Sequence, residues 1–388
     1  MNKSVITLAL IASLFTGAVT AEELSRSVAG RVHQAFELQS NDMNAEAIET
    51  LEKVDSSRAF DTSYVQRMLG ILYWQEDQMD KAEAALGRSV ATKGLEPEQH
   101  IETQRMYADI LLSNGKTKQA LANYNEVMAQ NKTLNVLKAD TVQQIWLRIG
   151  QANYQMESWK PVLGAVSSYY SAGGKTTVPV LNLRLGAELS LKQWNNALKT
   201  TLALRGFEPE RGSWWTQTIN LYLRVGNYSQ ALATLKQYER AGFELSKTQT
   251  RMMAQLYSKQ GVPEKSAQIF HELNKASDVD AKDLAVEAQY WQQAREWEQS
   301  LEAWARATSK DSQYRWSYIN LLMQNKQYKT ALTQLDKLNS SARKELTIVQ
   351  AYYRLGDKKK ALEHAQKANQ IKSDQATISW IKYLSQAN

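Results

Sequence analysis

The sequence predicts an all-α fold, a right-handed α-solenoid of about ten helical hairpins, and three observations carry that expectation. Only 5 Pro and 17 Gly are spread over 388 residues, too little turn-forming material for many short strands but well suited to long helices. A composition of 43% hydrophobic and 22% charged residues is that of a folded chain rather than a disordered one. A small residue followed four positions later by a residue that is usually larger and apolar recurs at a nearly fixed interval. Such a period marks stacked units that bury their faces only against neighbours.

The first 21 residues stand apart from that repeat. Lys3 gives a basic start, Val5 to Val19 is mostly apolar, and Val19-Thr20-Ala21 carries the small residues that signal peptidase favours. The segment reads as a signal peptide cut after Ala21, leaving a periplasmic protein of residues 22–388. An uncleaved anchor is the alternative, although the run is shorter than the roughly 20 apolar residues that span a bilayer. No later stretch is apolar enough to cross a membrane, so no integral span is expected after cleavage. Cys is absent, which excludes disulfides, thiolate metal sites and a lipidated N-terminal cysteine.

The repeat itself runs through Ala47/Leu51, Ala82/Leu86, Ala120/Tyr124, Val162/Val166, Ala197/Thr201, Ala231/Leu235, Ser266/Phe270, Ser300/Trp304, Ala331/Leu335 and Ala361/Ala365. Spacings between the leading residues lie between 30 and 42 and cluster about 34. A small side chain at Gly70, Gly150, Ala82 or Ala231 lets two helix backbones approach, while Tyr73, Tyr222 or Phe270 fills the space beside it. Short segments with helix-stopping character, Ser113-Asn114-Gly115-Lys116, Val225-Gly226-Asn227 and Leu355-Gly356-Asp357, read as the turns of tight hairpins.

Several units carry a first-helix signature as well. Trp146-x-x-Ile149-Gly150 displays it closely, Gln66-x-x-Leu69-Gly70-x-x-Tyr73 displays it with Gln in place of the leading Trp, and Trp215 followed by Tyr222 is a looser copy. These residues and the period resemble the tetratricopeptide repeat, whose length is about 34 residues. The chain departs from that pattern in three ways. Proline between units is mostly missing, with Pro209 the clearest survivor; the last two spacings are short; and the fourth unit is irregular, with an extra loop expected at Ser171–Thr177 within 162–180. One continuous superhelix is expected over 22–388.

Charge and motif content exclude several classes of function. Removal of Lys3 with the leader leaves 46 of the 47 basic residues against 40 acidic ones, a net charge of about +6. That bias favours acidic partners by steering but is no polybasic tract, and nucleic acid is not an expected partner. Gly173-Gly174-Lys175-Thr176 has the look of a phosphate loop, yet Tyr169 stands where its first glycine belongs and no strand precedes it, so a turn is expected. The four histidines, His33, His100, His271 and His364, fall in four different units, and Lys275 replaces the second His of a zincin motif after His271-Glu272. No metal, no cofactor and no catalytic set is expected.

Among the 11 Trp, Trp146, Trp159, Trp194, Trp215, Trp291, Trp297 and Trp304 fall on packing positions and are read as core. Trp74 and Trp316 are the exceptions. The face of each first helix not used in packing is expected to line a concave groove. That face carries Arg67 and Trp74; Arg105 and Asp109; Arg148, Gln151 and Tyr154; then Asn220 and Arg224. It continues with Arg251, Gln255 and Lys259; Gln289 and Gln292; Trp316 and Asn320; and Gln350, Tyr353 and Arg354. Amides satisfy an extended backbone and arginines grip carboxylates bidentately, so the expected ligand is a protein segment, acidic or extended.

Over its whole length the chain is similar to periplasmic tetratricopeptide proteins that accompany TonB-type energy-transducing complexes. That resemblance implies an adaptor engaging the periplasmic part of such a complex and supporting uptake of iron carriers. Two alternatives stay open: a scaffold for envelope assembly or polysaccharide export, and a glycan-binding protein or enzyme using the Trp-rich units.

Overall fold

The structure, a computed structural model, describes residues 23–275 and 279–386. The leader expected over residues 1–21 lies outside the described residues. Among them are 21 α-helices and no strand. The sequence predicts a continuous repeat, and its contacts fall into two compact units, Met1–Pro209 and Glu210–Asn388.

The first unit holds five hairpins: α1 (Arg26–Ser40) with α2 (Asn44–Glu52), α3 (Ala59–Gln75) with α4 (Met79–Thr92), α5 (Pro97–Ser113) with α6 (Thr117–Leu134), α7 (Ala139–Gln155) with α8 (Trp159–Ser171), and α9 (Val178–Ser190) with α10 (Trp194–Phe207). The second holds α11 (Gly212–Arg224) with α12 (Tyr228–Arg240), α13 (Lys247–Lys259) with α14 (Pro263–Leu273), α15 (Ala281–Gln293) with α16 (Trp297–Lys310), α17 (Arg315–Gln324) with α18 (Tyr328–Asp336), and α19 (Ala342–Arg354) with α20 (Lys358–Ile371). A last helix, α21 (Gln375–Gln386), packs on α20. The two short spacings at the end of the repeat arise here, because α17 and α18 are brief and a 3-10 turn, Ser312–Tyr314, leads into α17.

All ten hairpins close in the same way. Three residues join the helices, and the middle one takes a left-handed backbone: Asp42, Asp77, Gly115, Glu157, Lys192, Gly226, Gly261, Arg295, Lys326 and Gly356. The third residue's N–H then reaches back to an orphan carbonyl of the last helical turn, as from Gln78 to Tyr73 and from Asn227 to Tyr222, each at 2.8 Å. Glycine suits the middle position, but a polar side chain tolerates it at a cost of about 1 kcal/mol. Helix starts are marked separately. Pro97 and Pro263 open their helices where a missing N–H costs nothing. Ser246 and Gln249 close a reciprocal capping box on α13.

The small residue of every repeat lies on the second helix, and all ten, from Ala47 to Ala361, are fully buried. Its companion four residues later is buried as well, from Leu51 and Leu86 to Trp304 and Ala365. Burying a side chain such as Leu51, Leu86 or Leu235 stabilises the stack by roughly 1.5–3 kcal/mol each. The core is a series of clusters, each drawn from neighbouring hairpins, one around Leu72 and Leu86, another around Tyr124 and Ile145, others around Leu235 and Trp304.

The segment expected as an extra loop connects α8 to α9 over 172–177, no longer than the connections at 53–58 and 241–246. Gly173 takes a left-handed backbone, the Tyr169 ring lies against Gly174, and the Tyr169 hydroxyl donates to the Lys175 carbonyl at 2.9 Å.

The glycines that read alike in the sequence differ in their surroundings. A methyl group at Gly70 would come within 2.5 Å of the fully buried Leu86 side chain, whereas at Gly150 it would meet only Leu183 and Ala165 at ordinary contact distances. Gly70→Ala is expected to destabilise by about 1–3 kcal/mol through overpacking. Gly150→Ala is expected to be neutral or to stabilise by up to about 1 kcal/mol through helix propensity. Urea unfolding of the two variants measures the difference; equal losses would show that the packing at Gly70 is not as tight as its distances imply.

Candidate protein-binding faces

In the first unit three of the predicted residues, Arg105, Asp109 and Arg148, gather around one carboxylate. Asp109 on α5 accepts from Arg105 at 2.9 Å and from the buried Tyr124 hydroxyl of α6 at 2.5 Å, and Arg148 of α7 stands 3.6 Å away. Arg105 also donates to Glu102 at 2.9 Å, and Arg148 to Gln151 at 3.0 Å. Burial, then the adjacent Asp109 charge, pushes the Tyr124 hydroxyl well above its usual range, which keeps it a donor. Arg67 is half-buried on α3, with Tyr64 and Glu102 nearby. Burial pulls its guanidinium below its ordinary value, and its Nε has no hydrogen-bond partner. Tyr154 is exposed, rests edge-on against Trp159 at 5.1 Å and lies over Gly186 of α9.

The second unit differs in its chemistry. Counting back eleven residues from each buried small residue gives Asn220, Gln255, Gln289, Asn320 and Gln350, one on each first helix and every one exposed. Equivalent positions on equivalent helices present the same face, so this unit carries an unbroken row of amides. Arg224, Lys259 and Arg354 flank the row on exposed positions of the same helices. In the first unit the corresponding positions hold Phe36, Ile71, Asp109, Gln151 and Gly186, and no such row forms.

Three of the arginines expected to grip a partner's carboxylates, Arg105, Arg148 and Arg251, hold carboxylates of this chain. Arg105 and Arg148 share Asp109, and Arg251 of α13 donates to Asp283 of α15, bracing one hairpin on the next. The two Trp expected on the groove are half-buried. Trp74 packs on the first core cluster, and Trp316 lies beneath the Arg343 guanidinium at 3.9 Å. Tyr353 joins Trp380 and Tyr383 in an aromatic cluster, with its hydroxyl 3.0 Å from that of Tyr383. Of the other Trp, Trp291 and Trp304 are buried and Trp297 is exposed.

Sequence reasoning missed the buried acids. Glu188, Glu287 and Glu345 lie on first helices and bond to Thr200, His271 and His364, which lie on second helices. Their sequence signal is a charged residue at an otherwise apolar packing position; the partners lie 12 to 19 residues away. Among the described residues no group of three His, Asp or Glu is arranged to hold a metal ion, and no helix is long and apolar enough to cross a membrane.

The paired helices, their three-residue turns and the small-to-large register make the hairpins tetratricopeptide-like. No family model matches the sequence, and no curated protein matches it. Among solved structures the chain is similar to a tetratricopeptide repeat protein from Parabacteroides merdae, at 12% identity over 69% of this chain and 99% of that one, with a TM-score of 0.40. It is also similar to a chain of the Naa15/Naa10 complex bound to HypK, at 12% identity over 84% and 66% of the two chains, with a TM-score of 0.47. A third is YrrB, described as a TPR protein with an unusual peptide-binding site, at 16% identity over 48% and 100%, with a TM-score of 0.34.

Because Asp109 joins three helices, Asp109→Ala leaves a buried tyrosine hydroxyl without its acceptor and removes one partner from each of two arginines. A loss of about 2–4 kcal/mol is expected. Arg148→Ala, at a more exposed position and with its own second partner, is expected to lose less than half as much. Chemical denaturation of both variants tests this, and equal losses would mean that Asp109 is not the centre of the network.

Proposed function

We propose that the protein is a non-catalytic scaffold of the tetratricopeptide type whose residues 210–388 hold an extended protein segment along their first helices. The observation that carries this is the row Asn220, Gln255, Gln289, Asn320 and Gln350. Each amide offers a donor and an acceptor, the pair needed to satisfy the N–H and C=O of an extended backbone. Flanking Arg224, Lys259 and Arg354 favour acidic residues within that segment.

The finer reading is a periplasmic accessory of a TonB-type transport complex. It is supported by the leader-like first 21 residues, the absence of Cys and the family resemblance of the repeats. The partner on this reading is a segment of the TonB-like protein or of its receptor.

The test places a photoreactive residue at Asn220 or Gln289 in intact cells, with Lys118, exposed on a second helix, as control, and identifies the captured proteins by mass spectrometry. TonB-complex components captured from the row and not from Lys118 are expected. Export or envelope-assembly proteins would replace the finer reading, and identical capture at all three positions would overturn the amide row as the site. The triple variant Asn220→Ala, Gln255→Ala, Gln289→Ala is expected to weaken binding of a captured partner by about tenfold or more.

A further inference from the structure

Glu287 and Gln289 are two positions apart on α15, about 200° around the helix. What lies at Glu287 is therefore on the opposite side from the amide row. There a cavity of about 260 Å³ opens between the second helices α14 and α16. Its volume is below the roughly 300–1,000 Å³ of pockets that hold drug-sized molecules and suits one side chain or small head group.

The base of the cavity is a buried, fully engaged carboxylate. Glu287 is 1% exposed. Its Oε1 accepts from His271 Nδ1 at 2.8 Å and from Trp291 Nε1 at 3.4 Å; its Oε2 accepts from Asn274 Nδ2 at 2.8 Å and lies 3.9 Å from Arg306. Arg306 also donates to the Asn274 carbonyl at 2.8 Å, so its charge is committed to this base. An ionised carboxylate only accepts, which places a proton on His271 Nδ1 and leaves Nε2 an acceptor in the neutral ring.

The walls add acceptors of their own. Glu272 of α14 and Glu302 of α16 both line the cavity. Glu272 is neutralised by Lys275 at 2.6 Å, while Glu302 makes no ion pair among the described residues. With Glu287 set against Arg306 and Glu272 against Lys275, Glu302 is left as the excess charge, and with an imidazole acceptor and the Trp291 ring as lining the site is electronegative and partly aromatic. A cation with several N–H donors matches it; an anion would meet Glu302 unopposed.

We propose that this cavity binds an alkyl guanidinium or ammonium group, as carried by an arginine or lysine side chain, with Glu302 as its counter-charge and His271 Nε2 as a further acceptor. It is a second binding site, independent of the amide row.

The experiment titrates the full chain with N-acetyl-arginine amide and with the matching citrulline compound, which has the same shape without the charge. The readout is the imidazole NMR signals, with four histidines to resolve and His271 assigned by His271→Gln. The arginine compound is expected to shift the His271 signals and the citrulline compound to leave them in place. Glu302→Gln, on an exposed residue that leaves the fold intact, is expected to weaken binding by about tenfold. Free arginine that binds as tightly as the amide would identify a small-molecule site, and tighter binding of an arginine-containing peptide would identify a partner's side chain; both support the assignment. Equal shifts from citrulline, or unchanged affinity in Glu302→Gln, would overturn it.

Discussion

The whole architecture depends on how closely two helices can approach at one point in each hairpin. That point is the small residue on the second helix, and in ten hairpins it is fully buried. A side chain no larger than valine fits there, and the residue one turn on, usually a larger one, packs beside it. The three-residue turn fixes the register in which the two helices meet. Neither device works alone, since the turn sets the alignment that the small residue then makes compact.

This dependence is also why the fold was legible in the residues. Ala82/Leu86 and Ala231/Leu235 are strong signals because volume at a contact is hard to replace. The turns were only partly legible. Gly115, Gly226 and Gly356 announce a left-handed backbone, but Lys192 and Arg295 occupy the same conformation without any mark, the hydrogen bonds around them outweighing a modest backbone cost. The fourth unit reads as irregular and its loop as additional, yet the connection at 172–177 has the length of those at 53–58 and 241–246.

The candidate faces were legible in position but not in pairing. Periodicity places Arg105, Asp109 and Arg148 on first helices, yet gives no sign that they bond one another, because that depends on distances between helices. Once paired, their charges brace the stack and are less available to an outside carboxylate. Among the described residues the five amides of the second unit are exposed and make no such pairing, so their polarity is directed outward. The buried acids follow the same logic from inside: Glu287 is tolerable at the core because four donors surround it.

The division of the core into neighbouring clusters has a consequence for how such a chain changes length. Each cluster is completed by adjacent hairpins, and every hairpin begins and ends at the same point of the pattern. A duplication or deletion that runs from one turn to the next therefore brings together two surfaces already shaped to meet. The protein can lengthen or shorten by whole hairpins with its remaining contacts kept, whereas a change of a few residues inside a helix would shift every later side chain to the wrong face.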